Sequence, residues 1–183
     1  MDYFESDDTI DAKKVALVGH SRGGKAALWC GANDQRFAIT ISNNSGCSGA
    51  ALSRRRTGEK LVDINTNFPH WFCDNYKKFN EKEDELPIDQ HQLLALIAPR
   101  GLYVASASDD AWADPEGEFL SLKYAEPAFN LYSIKGLSET KQPGINIPIK
   151  SKNLGYHLRK GGHGLYLYDW QQYMAFAKGY FGG

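Results

Sequence analysis

The sequence predicts an α/β fold, in which helices flank a mainly parallel sheet. Two observations predict this class: short, nearly continuous apolar runs that are typical of buried parallel strands, and intervening segments whose apolar residues recur at helical spacing. The chain has 183 residues, a length that suits one domain with a substantial buried core. We therefore expect a single domain over residues 1–183.

The first third of the chain has the pattern strand, tight turn, helix, strand. Residues 14–19 (KVALVG) are an apolar run that predicts a buried strand. The helix formers of KAALWCGAND follow, and the apolar residues 37–42 predict a second strand. This order is typical of the right-handed crossover between parallel strands.

The middle of the chain has a different composition. Residues 43–87 are rich in Arg, Lys, Asn and aromatic side chains and show no clean period. We expect an irregular, short-helical insertion over the sheet edge, at about residues 43–87. The run Arg54-Arg55-Arg56 inside it is interpreted as a solvated face.

The second half again alternates helices and strands. The predicted elements are a helix at 89–98 that Pro99 ends, a strand at 102–107, a helix at about 115–127, a strand at or near 128–134, a loop at 135–153, a strand at 156–159 and a helix at 168–181. Strands that alternate with helices in this way complete the α/β pattern.

Charge and composition exclude several classes of protein. The 21 basic and 22 acidic side chains leave a net charge of −1, whereas nucleic-acid binders normally carry a basic excess. No apolar run approaches the roughly 20 residues of a membrane-spanning helix, and residues 1–14 are too acidic and polar for a signal peptide. The three cysteines (Cys30, Cys47 and Cys73) form no cluster with metal-ligand spacing. We predict no metal site, no nucleic acid and no membrane as partners.

Gly19-His20-Ser21-Arg22-Gly23 fits the G-x-S-x-G nucleophile elbow, between a predicted strand and a predicted helix. A nucleophile on a strained turn needs small residues two positions away, so that the chain can fold back without collision. The turn also directs backbone N–H groups at the helix N-terminus toward a forming oxyanion. The motif therefore predicts Ser21 as a nucleophile; the alternative is an ordinary glycine-rich turn.

A serine nucleophile needs a base, and the base needs an acid that orients it. In α/β-hydrolases the acid and then the histidine follow the serine along the chain. Asp109 and Asp110 follow the strand at 102–107, at the sheet edge where sites of parallel sheets lie. His163 lies in a glycine-rich loop before the last helix and is the candidate base. The other four histidines lack this context and are interpreted as structural, although His20 adjoins Ser21.

The motif GHSRGGK resembles the nucleophile motif G-C-S-R-x-G-K of glucuronoyl esterases, carbohydrate esterase family 15, in which His often replaces Cys in bacterial members. Further matches follow in order: SNNSGCSGAALSRR, NFPHWF, LPIDQHQLLALIAPRGLYVASASDDAWADPEGEF and KGGHG. The resemblance implies an α/β-hydrolase that cleaves the ester between glucuronic or 4-O-methyl-glucuronic acid of glucuronoxylan and a lignin alcohol. It implies neither metal nor cofactor, and a secreted or periplasmic location.

The resemblance assigns roles residue by residue. It makes Ser21 the nucleophile and His163 the base, with Arg22 stabilising the oxyanion through its backbone N–H and its guanidinium. Lys25, one helical turn beyond the serine, would bind sugar hydroxyls, and Trp112 would contact the sugar ring. A solvated helix lysine and a core tryptophan are the structural alternatives. Of the segments that border the family's sugar site, containing Glu59, His70 and Trp71, only the tryptophan is a further candidate.

One position departs from the family pattern. Many members carry the triad acid as a Glu in a Q-E-S-G-like segment, and here Asn44 stands at that position. Other bacterial members place the acid after the later strand. Asp110 matches that position best by its spacing to Trp112, and Asp109 is its rival; Asp114, before a proline, is expected to cap the following helix.

A complete α/β-hydrolase has more strands before the elbow than this sequence provides. We therefore expect the C-terminal half of such a domain, which needs the N-terminal half in cis or in trans. Two other functions remain open: an acetyl xylan esterase or serine peptidase of the same fold, and an inactive chain that serves as a carbohydrate-binding or interaction module.

Overall fold

Within the described residues, five strands form one sheet. The computed structural model describes residues 1–182, so of the predicted domain only Gly183 lies outside the described residues. The strands are β1 (Ala16–His20), β2 (Ile39–Asn43), β3 (Gly101–Ala107), β4 (Ile149–Lys150) and β5 (Leu154–Arg159). They lie in the order β1-β2-β3-β5-β4. β1, β2, β3 and β5 are parallel, and β4 pairs antiparallel with β5. The predicted α/β class is confirmed.

Within residues 1–182, seven α-helices accompany this sheet. They are α1 (Asp2–Ser6), α2 (Arg22–Asn33), α3 (Leu61–Asn67), α4 (Asp74–Lys77), α5 (Gln90–Ala95), α6 (Pro115–Asn130) and α7 (Leu167–Phe181). α2 connects β1 to β2 as the crossover pattern predicts. No helix within residues 1–182 has the length and apolar character needed to span a bilayer.

Helices cover both faces of the sheet. On one face, α2, α5 and α6 bury side chains such as Leu28, Leu94 and Phe119 against the strands. On the other face, α7 packs Tyr173 and Phe176 against the inner strands. Every residue of β3 is buried, because a central parallel strand is covered on both faces.

The segment predicted as an insertion, residues 43–87, contains α3, α4 and two short 3₁₀ helices. It has a small core of its own, in which Cys47, Leu61, Ile64 and Leu86 are buried. Aromatic side chains such as Trp71 pack against this core. The segment is thus a folded layer beside the carboxyl ends of the strands.

The predicted strand at 128–134 is wrong. α6 contains Pro127 and continues to Asn130, and Phe129 is buried in the core from the helix. A proline inside a helix loses one N–H and crowds the carbonyl four residues earlier, but the burial of Phe129 in the core favours continuation of the last turn. The structure has instead a short strand that was not predicted, β4 (Ile149–Lys150), inside the region 135–153 that was predicted as a loop.

Arg54 and Arg56 are exposed, as the interpretation of the arginine run as a solvated face predicts, while Arg55 is partly buried, and all three side chains have polar partners. Arg55 Nε contacts Asp114 Oδ2 at 2.9 Å, and Arg56 Nε contacts the buried Glu83 at 3.0 Å. Arg54 donates to a backbone carbonyl at 2.6 Å. Asp114 also accepts from the first turn of α6, which confirms the predicted helix cap. Arg55 therefore ties the middle segment to the start of α6, whereas Arg54 and Arg56 join parts of that segment to each other.

Candidate active site

Ser21 occupies the sharp turn between β1 and α2. Its backbone has φ 56° and ψ −124°, a left-handed φ that costs energy in a non-glycine residue. A Cβ at position 19 would overlap the carbonyl oxygen of Gly23, which explains the first glycine of the motif. A Cβ at position 23 would meet nothing, whereas one at Gly24 would lie 2.9 Å from Ser45 Cβ. The close approach of the turn after β2 thus restricts position 24 rather than position 23.

His163 and Asp110 form a close pair beside this turn. His163 Nδ1 lies 2.7 Å from Asp110 Oδ2, and the carboxylate is almost fully buried while the imidazole is half exposed. An ionised carboxylate can only accept, so a neutral imidazole in this geometry carries its proton on Nδ1 and presents Nε2 as an acceptor. Asp109 is exposed, and its Oδ1 instead accepts the hydroxyl of Ser108. Of the two candidate acids, the structure brings Asp110 to the histidine.

One cavity of about 390 Å³ collects most of the residues predicted from the sequence. Its walls include Ser21, Lys25, Asp110, Trp112 and His163, together with Asn44, Glu59 and Trp71. Arg22 differs: its exposed guanidinium lies 5.3 Å from the centroid of the Trp71 ring and lines a neighbouring cavity. The Arg22 backbone N–H, in the first turn of α2, has no carbonyl four residues earlier in the helix to bind.

Lys25 is not a solvated helix lysine. Its ammonium donates to the backbone carbonyl of Ser45 and, at 2.6 Å, to that of Cys47. Burial lowers the pKa of the Lys25 amino group, and nearby carboxylates, including Glu59, oppose that effect. Two of its three donors are used in this way, so one remains for a group in the cavity.

Trp112 stands at the mouth of the cavity with 55% of its surface exposed, so it is not a core tryptophan. The backbone N–H of Glu59 donates to its carbonyl at 2.8 Å, which fixes the Glu59 segment beside it. Burial raises the pKa of the Glu59 carboxyl, and Lys25 partly opposes the increase. The cavity therefore presents an aromatic ring next to one cation and one carboxyl group.

Asn44 also contacts the candidate acid, Asp110. Its side-chain Nδ2 donates to Asp110 Oδ2 at 2.9 Å, the oxygen that also accepts from His163. The residue that replaces the family's Glu is thus a donor to Asp110. Within residues 1–182, no group of three or more His, Cys, Asp and Glu side chains is arranged to hold a metal ion.

Comparison with known proteins places this chain in a family. Residues 1–133 match the family described as fungal glucuronyl esterase. The chain belongs to the glucuronoyl esterase family. It is 56% identical over 97% of its length to carbohydrate esterase MZ0003 of an unknown prokaryotic organism, and 29% identical over 90% to the 4-O-methyl-glucuronoyl methylesterase of Neurospora crassa.

The fold comparison agrees with this membership. A promiscuous CE15 esterase from a marine bacterial metagenome superimposes on 98% of the chain with a TM-score of 0.96 and 55% identity. The chain spans 41% and 39% of the two curated relatives and 45% of that solved structure. The similarity of this glucuronoyl esterase family member therefore concerns under half of each relative.

One side chain that was not predicted from the sequence, Arg159, holds the loop that carries His163 (residues 160–164) in this glucuronoyl esterase family member. Arg159, at the end of β5, donates to the carbonyls of Lys160 (2.7 Å), Gly162 (2.9 Å) and Gly164 (3.1 Å). The buried Asp169 pairs with its Nε at 3.1 Å. A charged residue that ends an apolar strand was the only available signal.

His20 also has a defined place in the site. Its Nδ1 lies 2.6 Å from Asn43 Oδ1, and its ring centroid lies 4.7 Å from that of His163. The histidine predicted as structural is therefore packed against the candidate base. By contrast, His157 is fully buried between Tyr103 and Asp169, in keeping with a structural role.

Proposed function

We propose that this chain carries the catalytic residues of a serine esterase for esters of glucuronic or 4-O-methyl-glucuronic acid, including those that join glucuronoxylan to lignin alcohols. The observation that carries the proposal is the Asp110–His163 pair at 2.7 Å on the cavity that Ser21 also lines. Family membership supports the substrate class, since a relative is a 4-O-methyl-glucuronoyl methylesterase.

In the proposed reaction, Ser21 Oγ attacks the ester carbonyl while His163 Nε2 takes its proton. The tetrahedral intermediate collapses, the C–O bond to the alcohol breaks, and the imidazolium returns the proton to the leaving alkoxide. Water then attacks the acyl-enzyme by the same proton route and releases the uronic acid. Asp110 stabilises the imidazolium and keeps the proton of the neutral ring on Nδ1.

The oxyanion would be stabilised at the N-terminus of α2. The backbone N–H of Arg22 and the helix dipole both favour negative charge at that position. The guanidinium of Arg22 packs against Trp71, so its contribution requires a rotation toward the cavity. We assign the backbone N–H the direct contact and the side chain the longer-range attraction.

Recognition of the sugar would come from Lys25 and Trp112. The remaining donor of Lys25 suits a hydroxyl oxygen, and the exposed Trp112 ring suits the C–H face of a pyranose. Glu59, between them on the cavity wall, can accept from a second hydroxyl. Together they favour a polar sugar over a plain acyl group.

We further propose that turnover requires the remaining part of the hydrolase domain, in cis or in trans. β1 lies at the edge of the described sheet, and its residues Ala16, Leu17 and Val18 are exposed or only partly buried. Unpaired strand edges and apolar surface of this kind are normally covered. Because the proposed substrate is a cell-wall polymer, we propose a secreted or periplasmic site of action.

The test measures hydrolysis of benzyl glucuronate by the purified chain alone and by the chain joined to the N-terminal part of its 56% identical relative. We expect activity in the joined protein, its loss in Ser21→Ala, and no release of acetate from acetylated xylan. Acetate release without glucuronate-ester cleavage would favour the acetyl xylan esterase. Binding of glucuronoxylan by a folded protein without any hydrolysis would favour a binding module.

A further inference from the structure

Glu118 lies in α6 with no solvent exposure, and it does not line the cavity of Ser21. Its Oε1 accepts from the backbone N–H groups of Ser45 at 2.8 Å and Gly46 at 3.0 Å. Oε1 also accepts the Ser45 hydroxyl at 3.3 Å, and Oε2 accepts the hydroxyl of Ser106 at 2.6 Å. All four of these hydrogen bonds are therefore donated to the carboxylate.

A buried carboxylate is costly unless its hydrogen-bond capacity is satisfied. Glu118 has no Lys, Arg or His ion-pair partner among residues 1–182. Four hydrogen-bond donors take the place of such a partner. Burial raises the pKa of Glu118 to about 7, and the same hydrogen bonds oppose that increase. A neutral or apolar residue would be cheaper here for stability alone.

The turn that Glu118 binds, residues 44–46, also contacts residues of the candidate active site. Asn44 has a left-handed φ of 45°, which costs energy in a non-glycine residue, so the turn depends on support from outside; Gly46, with φ 55°, adopts this region freely. From this turn, Asn44 donates to Asp110 and the carbonyl of Ser45 accepts from Lys25. Two predicted site residues, Asp110 and Lys25, thus contact two consecutive residues of one turn.

The second oxygen of Glu118, Oε2, binds the stretch of chain that leads to Asp110. Ser106 lies near the end of β3, four residues before Asp110 on the same stretch of chain. The carboxylate therefore joins the turn after β2 to the strand end that leads to the acid. We therefore expect a change in the geometry of this carboxylate to alter the distance between Asn44 and Asp110.

We propose that Glu118 is a positioning residue of the esterase site, which fixes residues 44–46 so that Asn44 meets Asp110 and the Ser45 carbonyl meets Lys25. The inference deepens the proposed function and rests on it. Glu118→Gln can keep this geometry, because its carbonyl oxygen replaces Oε1 and its Nε2 donates to a rotated Ser106 hydroxyl. Glu118→Met leaves both backbone donors without an acceptor.

The experiment compares Glu118→Gln, Glu118→Met and the matched control Ser121→Ala. Ser121 is equally buried in α6, and its hydroxyl has no partner within the described residues. The first readout is kcat and KM for benzyl glucuronate in the joined protein. The second is the NMR signal of the His163 Nδ1 proton in the 183-residue chain, with circular dichroism to confirm folding.

We expect Glu118→Met to lower kcat/KM on the order of 10- to 100-fold, as small misplacements of catalytic groups do, and to move the His163 Nδ1 proton signal. Glu118→Gln and Ser121→Ala should leave both unchanged. A folded Glu118→Met protein with normal turnover and an unmoved signal overturns the inference. A Glu118→Gln protein as impaired as Glu118→Met also overturns it, because charge rather than position would then matter.

Two further outcomes are decided by other measurements. If Glu118→Met does not fold, Ser106→Ala removes only the Oε2 contact, and an unmoved His163 signal in that variant overturns the inference. If the wild-type joined protein has no esterase activity, the proposed function fails, and the NMR comparison in the chain still decides whether Glu118 positions the pair.

Discussion

Asn44 donates to Asp110 Oδ2 over 2.9 Å, at the oxygen that also accepts from His163 at 2.7 Å. The carboxylate therefore has a fixed orientation before any substrate binds, since two donors on different segments hold one oxygen. Such preorganisation is what a base–acid pair requires, because the imidazole must keep its tautomer and direction during proton transfer.

The first prediction separates the two candidate acids. Asp110→Asn should lower kcat for benzyl glucuronate on the order of 10³- to 10⁴-fold, because an amide favours the wrong tautomer of His163. Asp109→Asn, which changes an exposed neighbour, is the matched control and should retain activity. Steady-state kinetics of the two variants checks this, and the reverse pattern would reassign the acid.

The second prediction concerns the donor to Asp110. Asn44→Leu preserves the approximate size of the side chain but removes its N–H group, so the carboxylate loses one of its two anchors. We expect kcat to fall about tenfold with little change in KM, together with a loss of about 1–2 kcal/mol of stability. Kinetics and urea unfolding measure both effects; an unchanged kcat would show that His163 alone orients the acid.

The third prediction addresses the loop that carries His163. Arg159→Lys keeps a positive charge beside Asp169 but cannot supply the fork of donors to three carbonyls. We expect kcat to fall on the order of 10- to 100-fold and amide hydrogen exchange to quicken in residues 160–164. The control Lys160→Arg alters an exposed side chain of the same loop and should leave exchange unchanged.

The fourth prediction follows from the raised pKa of Glu118, about 7 against an ordinary value of 4.5. Between these values the folded state holds a proton that the unfolded state has released, so stability falls as pH rises. Over that interval wild type should lose on the order of 3 kcal/mol relative to Glu118→Gln. Urea unfolding of both proteins at about pH 4.5 and about pH 7.5 measures the difference. A constant difference would mean that Glu118 titrates normally.

The sequence predicted the elbow and the histidine loop because both have steric signatures. Gly19 is required by the overlap of a Cβ with Gly23, and the glycines around His163 follow directly after a strand. The choice between Asp109 and Asp110 was not decided by the sequence. Adjacent side chains point in different directions, and only the backbone after β3 determines which one faces the base.

The supporting residues were not predictable in the same way. Glu118 and Arg159 bind mainly backbone groups, and no side-chain pattern encodes where a backbone N–H or carbonyl will lie. The sequence offered only charged residues at positions of apolar periodicity, such as Glu118 one helical turn before Leu122. Likewise, the strand expected at 128–134 failed because the packing of Phe129 carries α6 past its proline.

The most direct test of the central claim is intact-mass analysis of the joined protein quenched during turnover of benzyl glucuronate. We predict a population heavier by one glucuronoyl group, located on Ser21 by peptide mapping and absent from Ser21→Ala. Full hydrolytic activity in Ser21→Ala, or an acyl group on another side chain, would contradict the assignment of Ser21 as the nucleophile.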